Sequence, residues 1–328
     1  MKPRKIQKII PVPGTEMTLP VTEIIGAKDG GTITLSAGVH SREYIGVQAL
    51  IELSQEVDPQ QVRGKVILLP SCNYQGFLQR SADVVPQDGK NLNREFPGDP
   101  CGTAAQRLAA FLEQEFIQVS DYLVDLHSGG FCETLTPHLY FHGTADPEVC
   151  VVSRRMGELT TIPYLVKSSA ENGFYSWAGQ RGVPAILLER GGCGLVMADQ
   201  IQEHKQDVLR ILRGLGFLED GVEEKPAAHQ IITNAFYEDA PVSGCWYPYK
   251  AAGNRMQQGE VLGEIRDILG NTLYRARAKV SGVILYQTAS LGIEQGTPMV
   301  AYGELPEVVT HQGGASTQFI REMSSAQE

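Results

Sequence analysis

The sequence predicts an α/β fold with a mixed, mostly parallel sheet, helices on both faces, and a small all-β domain at the C-terminal end. Between residue 14 and about residue 216, short apolar runs alternate with segments whose apolar residues recur at helical spacing. From about residue 231, short β segments follow one another with frequent glycines. The charged, proline-containing stretch 218–226 separates these parts and is typical of a linker or exposed connection.

Three apolar runs in the first part are predicted to be buried strands. Residues 32–37 are rich in β-branched side chains and follow a Gly-Gly turn, whereas residues 122–127 end at Ser-Gly-Gly. Residues 183–188 form the third run, which Glu189 follows directly. The predicted helices lie at 43–57, 103–118, 147–159 and 197–213. In the C-terminal part, residues 259–265 and 282–286 are predicted strands.

The first predicted strand ends in a corner that carries two possible metal ligands. His40 and Glu43 lie where strand changes to helix, and their three-residue offset places both side chains on one side of the first turn. Gly38 permits a tight backbone bend before His40. In an open α/β sheet, ligands bind at the carboxyl ends of strands. This corner is therefore predicted to face a site.

The other two strand ends supply the remaining groups for metal-assisted hydrolysis. His127 would give a second imidazole, so that two histidines and Glu43 could hold one metal ion, for which zinc is the best match. Asp125 would share a strand face with His127 and could accept its ring N–H or serve as an additional acid. Glu189 would remain free to handle protons.

Several short motifs resemble a known family. Residues 38–43 resemble the first zinc motif of the zinc carboxypeptidases. Residues 90–98 are similar to the Asp-Leu-Asn-Arg-x-Phe-Pro-Gly run of the succinylglutamate desuccinylase/aspartoacylase family, a relative of those enzymes. Residues 73–80, 125–127 and 189–192 match further motifs of that family in the same order. The resemblance extends over about residues 14–305.

This resemblance implies a zinc carboxypeptidase-like catalytic domain over residues 1–220, with one zinc ion per chain. The metal ligands that it implies are His40, Glu43 and His127. It further implies that Glu189 is the catalytic acid–base and that Arg80 stabilises the oxyanion, while Asn93 and Arg94 hold a substrate carboxylate. The chain departs from the family at Ser41, where glycine is usual, and at Asn91, where aspartate is usual. Neither departure removes a ligand.

Residues 231–305 resemble a biotinyl/lipoyl-type β-domain, but the carrier function does not fit. The hairpin region 267–271 contains no lysine to carry a cofactor, and Lys279 lies outside any carrier motif. We therefore interpret these residues as a structural module that shapes the active-site mouth or an oligomer contact. The polar segment 306–328 is predicted to be a mobile tail.

Composition limits the partners and the compartment. The formal net charge of −10, from 28 basic and 38 acidic residues, argues against nucleic acid and anionic membranes as partners. No run of 18 apolar residues predicts a membrane span. The six cysteines form no CxxC motif, and no secretory signal is evident. These features predict free thiols and a cytoplasmic location.

Three functions remain open from the sequence. The first is a zinc-dependent hydrolase of amide bonds that uses a metal-bound water to remove an acyl group from a small N-acyl amino acid. The second is a metallocarboxypeptidase acting on short peptides. The third, a binding module without activity, is disfavoured because the ligands and the base are all present. A homo-oligomer is possible. His138 and His142 are interpreted as structural histidines, and Lys167, Tyr175 and Arg181 as unranked candidates for the pocket.

Overall fold

A computed structural model describes residues 2–81, 83–222 and 227–306. The strands, in chain order, are β1 (Arg4–Pro11), β2 (Thr18–Ile25), β3 (Lys28–Ala37), β4 (Arg63–Leu69), β5 (Tyr122–His127), β6 (Glu133–Leu135), β7 (His138–His142), β8 (Tyr164–Ser168), β9 (Ala185–Glu189), β10 (Gln230–Ile232), β11 (Ala235–Asp239), β12 (Gly244–Pro248), β13 (Arg255–Met256), β14 (Val261–Arg266), β15 (Thr272–Arg277), β16 (Gly282–Thr288), β17 (Gly292–Ile293) and β18 (Pro298–Glu304). The α-helices are α1 (Tyr44–Glu56), α2 (Tyr74–Gln79), α3 (Ala104–Leu112), α4 (Pro147–Glu158), α5 (Phe174–Gln180) and α6 (Ala198–Gly214). Three short non-α turns cover Pro59–Gln61, Leu92–Arg94 and Glu113–Ile117.

The largest sheet has nine strands in the order β1-β2-β4-β3-β5-β9-β7-β8-β10. Its centre, from β4 through β3 and β5 to β9, is parallel, and β7, β8 and β10 form a second parallel group. Antiparallel pairing joins β1, β2 and β4, and also joins β9 to β7. The prediction of a mixed, mostly parallel sheet is confirmed for the described residues. The parallel centre places the carboxyl ends of β3, β5 and β9 at one edge.

Helices cover both faces of this sheet, as the apolar patterns predict. On one face, α1, α4 and α6 contribute Leu50, Met156 and Val208 to a buried cluster with the sheet. On the other face, α3 and α5 contribute Leu108 and Phe174 to a second cluster. Each cluster buries one side of the alternating strand residues, which explains why these strands are apolar throughout their length.

The four predicted helices are confirmed within a few residues at their ends, with one change in geometry. The predicted helix 103–118 becomes α3 followed by a π-helical turn at Glu113–Ile117. Two further helices, α2 and α5, have six and seven residues and were not predicted. Helices this short contain fewer than two full turns, so apolar periodicity is not visible in them.

The C-terminal part consists of two small antiparallel sheets, and one of them includes a strand from the first part. One sheet has the order β11-β18-β16-β13, with β6 paired to β16, and the other has the order β15-β14-β12-β17. Their shared core surrounds Trp246 and Tyr302. The pairing of β6 with β16 joins the two parts of the chain through backbone hydrogen bonds.

The connection between the two parts is less exposed at its start than predicted. Leu218 is buried in the core and forms an isolated bridge with Val62, and Asp220 accepts hydrogen bonds from Arg213. Residues 223–226 of this connection lie outside the described residues, as does the predicted tail from residue 307. None of the described helices has the length and apolar character needed to cross a bilayer.

Replacing Gly46 with alanine should destabilise the fold and disturb the corner that carries Glu43. Alanine favours a helix over glycine by about 1 kcal/mol. However, a Cβ at Gly46 would lie 2.7 Å from the Leu126 Cβ and 2.9 Å from the Leu126 carbonyl oxygen. We expect this overlap to outweigh the helix preference and to lower the free energy of unfolding by about 1–3 kcal/mol, measured by urea unfolding. Ile51→Ala, on the exposed side of the same helix, is the control and should change stability less.

Candidate metal centre and pocket

The corner after β3 is fixed by backbone hydrogen bonds to the neighbouring strand end. Gly38 has a φ of +61°, and a Cβ there would lie 3.1 Å from both Ser71 and Val47. The amides of Cys72 and Asn73 donate to the carbonyls of Ala37 and Gly38, each at 2.9 Å. A side chain at Gly38 would therefore strain the backbone and crowd Ser71 and Val47. The bend that presents His40 depends on this glycine.

His40, Glu43 and His127 lie together at the carboxyl ends of β3 and β5. The Glu43 carboxylate is between the two rings, with Oε1 2.7 Å from the His40 Nδ1 and Oε2 2.8 Å from the His127 Nδ1. One potential ligand atom from each residue lies within 4.8 Å of the others. The amide of Ser128 also donates to Glu43 Oε2 at 3.2 Å. Two imidazoles and one carboxylate are thus arranged around one point.

The outward nitrogen of each imidazole has its own partner. The Nε2 of His127 lies 3.0 Å from Asp125 Oδ2, and the other Asp125 oxygen accepts from the Ser36 hydroxyl at 2.7 Å. The Nε2 of His40 lies 3.2 Å from the Asn91 amide oxygen. Such partners fix the orientation and tautomer of metal-binding histidines. Here they direct both Nδ1 atoms toward Glu43.

Asn91 supports His40, which clarifies one departure from the family pattern. Its amide oxygen also accepts from the backbone amide of Asn93 at 2.9 Å, so the oxygen is held toward the His40 ring. A neutral amide stands where the family usually has a carboxylate. The change therefore affects the partner of an imidazole and leaves the candidate ligand atoms of His40, Glu43 and His127 unaltered.

Burial and neighbouring charges together set the pKa values at this centre. Burial alone would raise the pKa of Glu43, but the adjacent His40 and His127 outweigh it and lower that pKa to about 2. Burial disfavours the charged form of His127, yet Glu43 and Asp125 together raise the pKa of His127 well above its ordinary value. The carboxylate of Glu43 is therefore ionised at neutral pH and available as a ligand.

Glu189 lies beside the centre, at the end of β9. In the register between β5 and β9 it is the direct partner of His127. Its Oε2 atom is buried and has no hydrogen-bond partner among the described residues. Burial, followed by the charge of Glu43, raises the pKa of Glu189 well above its usual range. Such an environment makes protonation of the carboxyl group easier than in water, as at many catalytic acids and bases.

A cavity of about 1090 Å³ opens over these side chains. Its walls come from both parts of the chain, because Tyr237, Tyr286 and Thr288 of the C-terminal sheets line it together with His40 and Glu189. Binding sites for small molecules commonly occupy 300–1,000 Å³. The cavity is large enough for an N-acyl amino acid or a short peptide.

The predicted substrate residues Asn93 and Arg94 line this cavity, whereas Arg80 does not. The Asn93 amide oxygen accepts from the backbone amide of Phe174 at 2.9 Å, which leaves its NH2 group for a ligand. Arg80 ends α2 with an exposed side chain and a φ of +53°, and its carbonyl accepts two hydrogen bonds from Arg42. The catalytic role of Arg80 therefore stays a prediction.

The three residues that the sequence offered as candidates for the pocket fall into two groups. Lys167 and Tyr175 line the cavity, whereas Arg181 forms an ion pair with Glu113 at 3.2 Å. The acidic residues of the lining that were not predicted are Asp83, Glu133, Glu238, Asp239 and Glu294. Glu133 belongs to a strand of three residues whose partner strand is about 150 residues away, so no local pattern identifies it.

His138 and His142 are buried in β7 outside the group of possible ligands. The ring of His142 stacks on Tyr175 with centroids 5.2 Å apart, and the Nδ1 of His138 lies 2.8 Å from the Thr136 carbonyl oxygen. In the part of the chain that the structure describes, the Nε2 atom of each ring is buried without a hydrogen-bond partner. Burial lowers the pKa of both histidines to about 4. Both are therefore neutral in the folded protein at physiological pH.

Comparison with known proteins identifies the family. Residues 29–215 match the succinylglutamate desuccinylase/aspartoacylase catalytic domain, and the chain belongs to this family. It is 27% identical over 303 residues to an N-alpha-acetyl-L-2,4-diaminobutyric acid deacetylase of Halomonas elongata, a match that covers 88% of this chain and 86% of the relative.

Solved structures show the same architecture. A succinylglutamate desuccinylase/aspartoacylase of Rhodobacter sphaeroides has a TM-score of 0.80 and 27% identity, covering 92% of this chain and 95% of that one. A product-bound ectoine utilization protein of Ruegeria pomeroyi has a TM-score of 0.81 and 23% identity, covering 92% and 94%. Both matches extend into the C-terminal β part.

The two buried histidines of β7 should make the protein less stable in acid. Their pKa is lower in the folded chain than the ordinary value of 6.5, so the unfolded chain binds more protons between pH 6.5 and pH 4. Their contribution is complete above pH 6.5 and is lost progressively as the pH falls toward 4, by about 2 kcal/mol for each histidine down to pH 5.

Unfolding curves at pH 7.5 and pH 5 test this expectation. His138→Gln and His142→Gln should each lower stability at pH 7.5 but reduce the difference between the two pH values. An unchanged difference in both variants would show that these histidines do not titrate on unfolding.

Proposed function

We propose that this protein is a zinc-dependent amidohydrolase that removes an acyl group from a small N-acyl amino acid. One observation carries the proposal: two imidazole Nδ1 atoms and a carboxylate surround one point, and the buried, unpaired carboxyl of Glu189 lies on the neighbouring strand end. Membership of the family and the name of the Halomonas elongata relative, a deacetylase of an N-acetylated amino acid, support it.

The donor set fits zinc. Two histidines with one glutamate, each histidine held by an outer partner, is a common arrangement at catalytic zinc, which keeps a further position open for water. His40, Glu43 and His127 would hold the ion. Zinc bound there would polarise the scissile carbonyl and lower the pKa of water to roughly 7.

Glu189 would move the protons. Its carboxylate would accept a proton from the attacking water and later donate it to the nitrogen of the departing amine. Burial raises the pKa of Glu189, so that taking up a proton costs less than it would for an exposed carboxylate. The same group can therefore serve as base and then as acid.

Asn93 and Arg94 would bind the carboxylate of the substrate amino acid. Both line the cavity, and the Arg94 side chain is exposed toward it at the end of the turn Leu92–Arg94. A guanidinium group suits two-point binding of a carboxylate. We retain Arg80 as a candidate for stabilising the oxyanion, although it lies outside the cavity lining.

The metal content of protein purified without added metal should be about one zinc ion per chain. His127→Ala should lose this zinc, because it removes one of three ligands. His142→Gln is the matched control, since this buried histidine lies outside the group of possible ligands, and it should retain zinc. Elemental analysis of the three proteins measures the result. Zinc in the His127→Ala protein equal to that of the wild type would contradict the assigned ligands.

Glu189→Gln should abolish most of the activity while the zinc remains bound. General acid–base groups typically contribute a factor of roughly 100 to 10,000 to the rate, and we expect a loss of that size in kcat. The assay compares N-acetyl and N-succinyl amino acids with dipeptides on the wild-type protein and the variant. Preference for dipeptides would favour the metallocarboxypeptidase, and full activity in Glu189→Gln would contradict the proton-transfer role.

A further inference from the structure

The two candidate imidazole ligands have outer partners of different charge. The Nε2 of His127 lies 3.0 Å from a carboxylate oxygen of Asp125, whereas the Nε2 of His40 lies 3.2 Å from the amide oxygen of Asn91. Both rings direct Nδ1 toward Glu43. A neutral imidazole that binds a metal through Nδ1 carries its proton on Nε2, so each ring donates a hydrogen bond to its outer partner. The two rings therefore face the same point with unequal support.

The carboxylate behind His127 is buried and fixed. Asp125 has no exposed surface, and its second oxygen accepts from the Ser36 hydroxyl at 2.7 Å. A hydrogen bond to an ionised acceptor is stronger than one to a neutral acceptor, and a buried environment strengthens it further. An imidazole that donates to a carboxylate is also a more basic metal ligand. His127 is therefore a strongly supported ligand.

His40 has no carboxylate in the equivalent place. Among the described residues, the hydrogen-bond partners of its ring are Glu43 and Asn91. Asp83 also lines the cavity and acts on the ring through its charge, without such a bond. The His40 side chain is 16% exposed, against 1% for His127, so that water weakens the effect of nearby charges on it. His40 is therefore the weaker imidazole ligand of the two.

The local backbone does not require an amide at Asn91. Its side-chain oxygen accepts from the backbone amide of Asn93 at 2.9 Å and caps the turn Leu92–Arg94. An aspartate oxygen can accept the same two hydrogen bonds, from the Asn93 amide and from the His40 ring. Asparagine and aspartate also have almost the same shape. The charge of this partner can therefore be changed while its contacts are kept.

We propose that Asn91 is a positioning residue that sets the zinc affinity of this centre, because it gives His40 a neutral partner and makes His40 the weaker imidazole ligand. The proposal rests on the proposed function. Outer partners of metal-binding histidines typically change metal affinity by roughly 10- to 100-fold. This chain should therefore hold zinc less tightly, and release it faster, than the same chain with a carboxylate in place of the Asn91 amide.

The experiment measures the zinc dissociation constant by competition with a chelator at pH 7.5. Asn91→Asp should bind zinc roughly 10- to 100-fold more tightly than the wild type, a gain that damage to the fold cannot produce. Asp125→Asn makes the reverse change at the other ring and should weaken binding by roughly the same factor. Asn93→Asp is the matched control, since it places a carboxylate in the same cavity away from both Nε2 atoms. It should change the affinity by no more than about threefold.

Proton NMR of the zinc-loaded proteins gives a second readout that a merely structural role would not move. A proton in a stronger hydrogen bond resonates further downfield, so the Nε2 proton of His127 should lie downfield of that of His40. Asn91→Asp should move the His40 signal downfield and leave the His127 signal in place. An unmoved His40 signal would contradict the assignment of Asn91 as its partner.

Equal zinc affinity in the wild type and Asn91→Asp would overturn the proposal, as would an equally large gain in Asn93→Asp. If Asn91→Asp does not fold, Asp125→Asn decides, because an unchanged affinity there would show that the charge of an outer partner has no effect at this centre. Failure of the proposed function is distinguishable from these results. In that case none of the proteins binds zinc on titration, whereas failure of this inference alone leaves zinc bound with the same affinity.

Discussion

The contact on which the site depends is that of the Glu43 carboxylate with two imidazoles from different strand ends. Neither His40 nor His127 could keep its Nδ1 atom at this point without the parallel pairing of β3 and β5, which brings their carboxyl ends together. The rings are oriented from behind by Asn91 and Asp125. The pairing of β3 with β5 sets the distance between the two imidazole rings. The geometry of the site is therefore held by the middle strands of the sheet, which helices cover on both faces.

Elements and site residues that a few consecutive residues determine could be predicted from the sequence. Residues 122–127 were predicted as a strand from six consecutive residues, and the structure has β5 over the same bounds. The proximity of His40, Glu43 and His127 followed from one rule, that parallel strands present their ends at one edge. The zinc and the substrate role of Arg94 are proposals, and the domain boundaries stay predictions.

What could not be predicted depends on long-range pairing. Glu133 enters the cavity because β6 pairs with a strand about 150 residues later, and no periodicity in three residues reveals that partner. The outward placement of Arg80 depends on the end of the short helix α2, where a left-handed residue turns the chain. Leu218, at the start of the connection, is likewise buried through a bridge to Val62. The charged residues that follow it in the sequence predict an exposed segment instead.

The pairing of β6 with β16 also has a consequence for how such a protein can diverge. Groups that would carry out hydrolysis lie on the central strand ends, where the pairing of β3, β5 and β9 fixes their positions. The wall opposite them is built by the C-terminal strands, which contribute Tyr237 and Tyr286 and meet the first part through the ladder between β6 and β16 and through a shared apolar cluster. Substitutions in that wall can reshape the cavity while the ligand geometry is preserved. The arrangement of His40, Glu43 and His127 is therefore compatible with different side chains on the far side of the cleft.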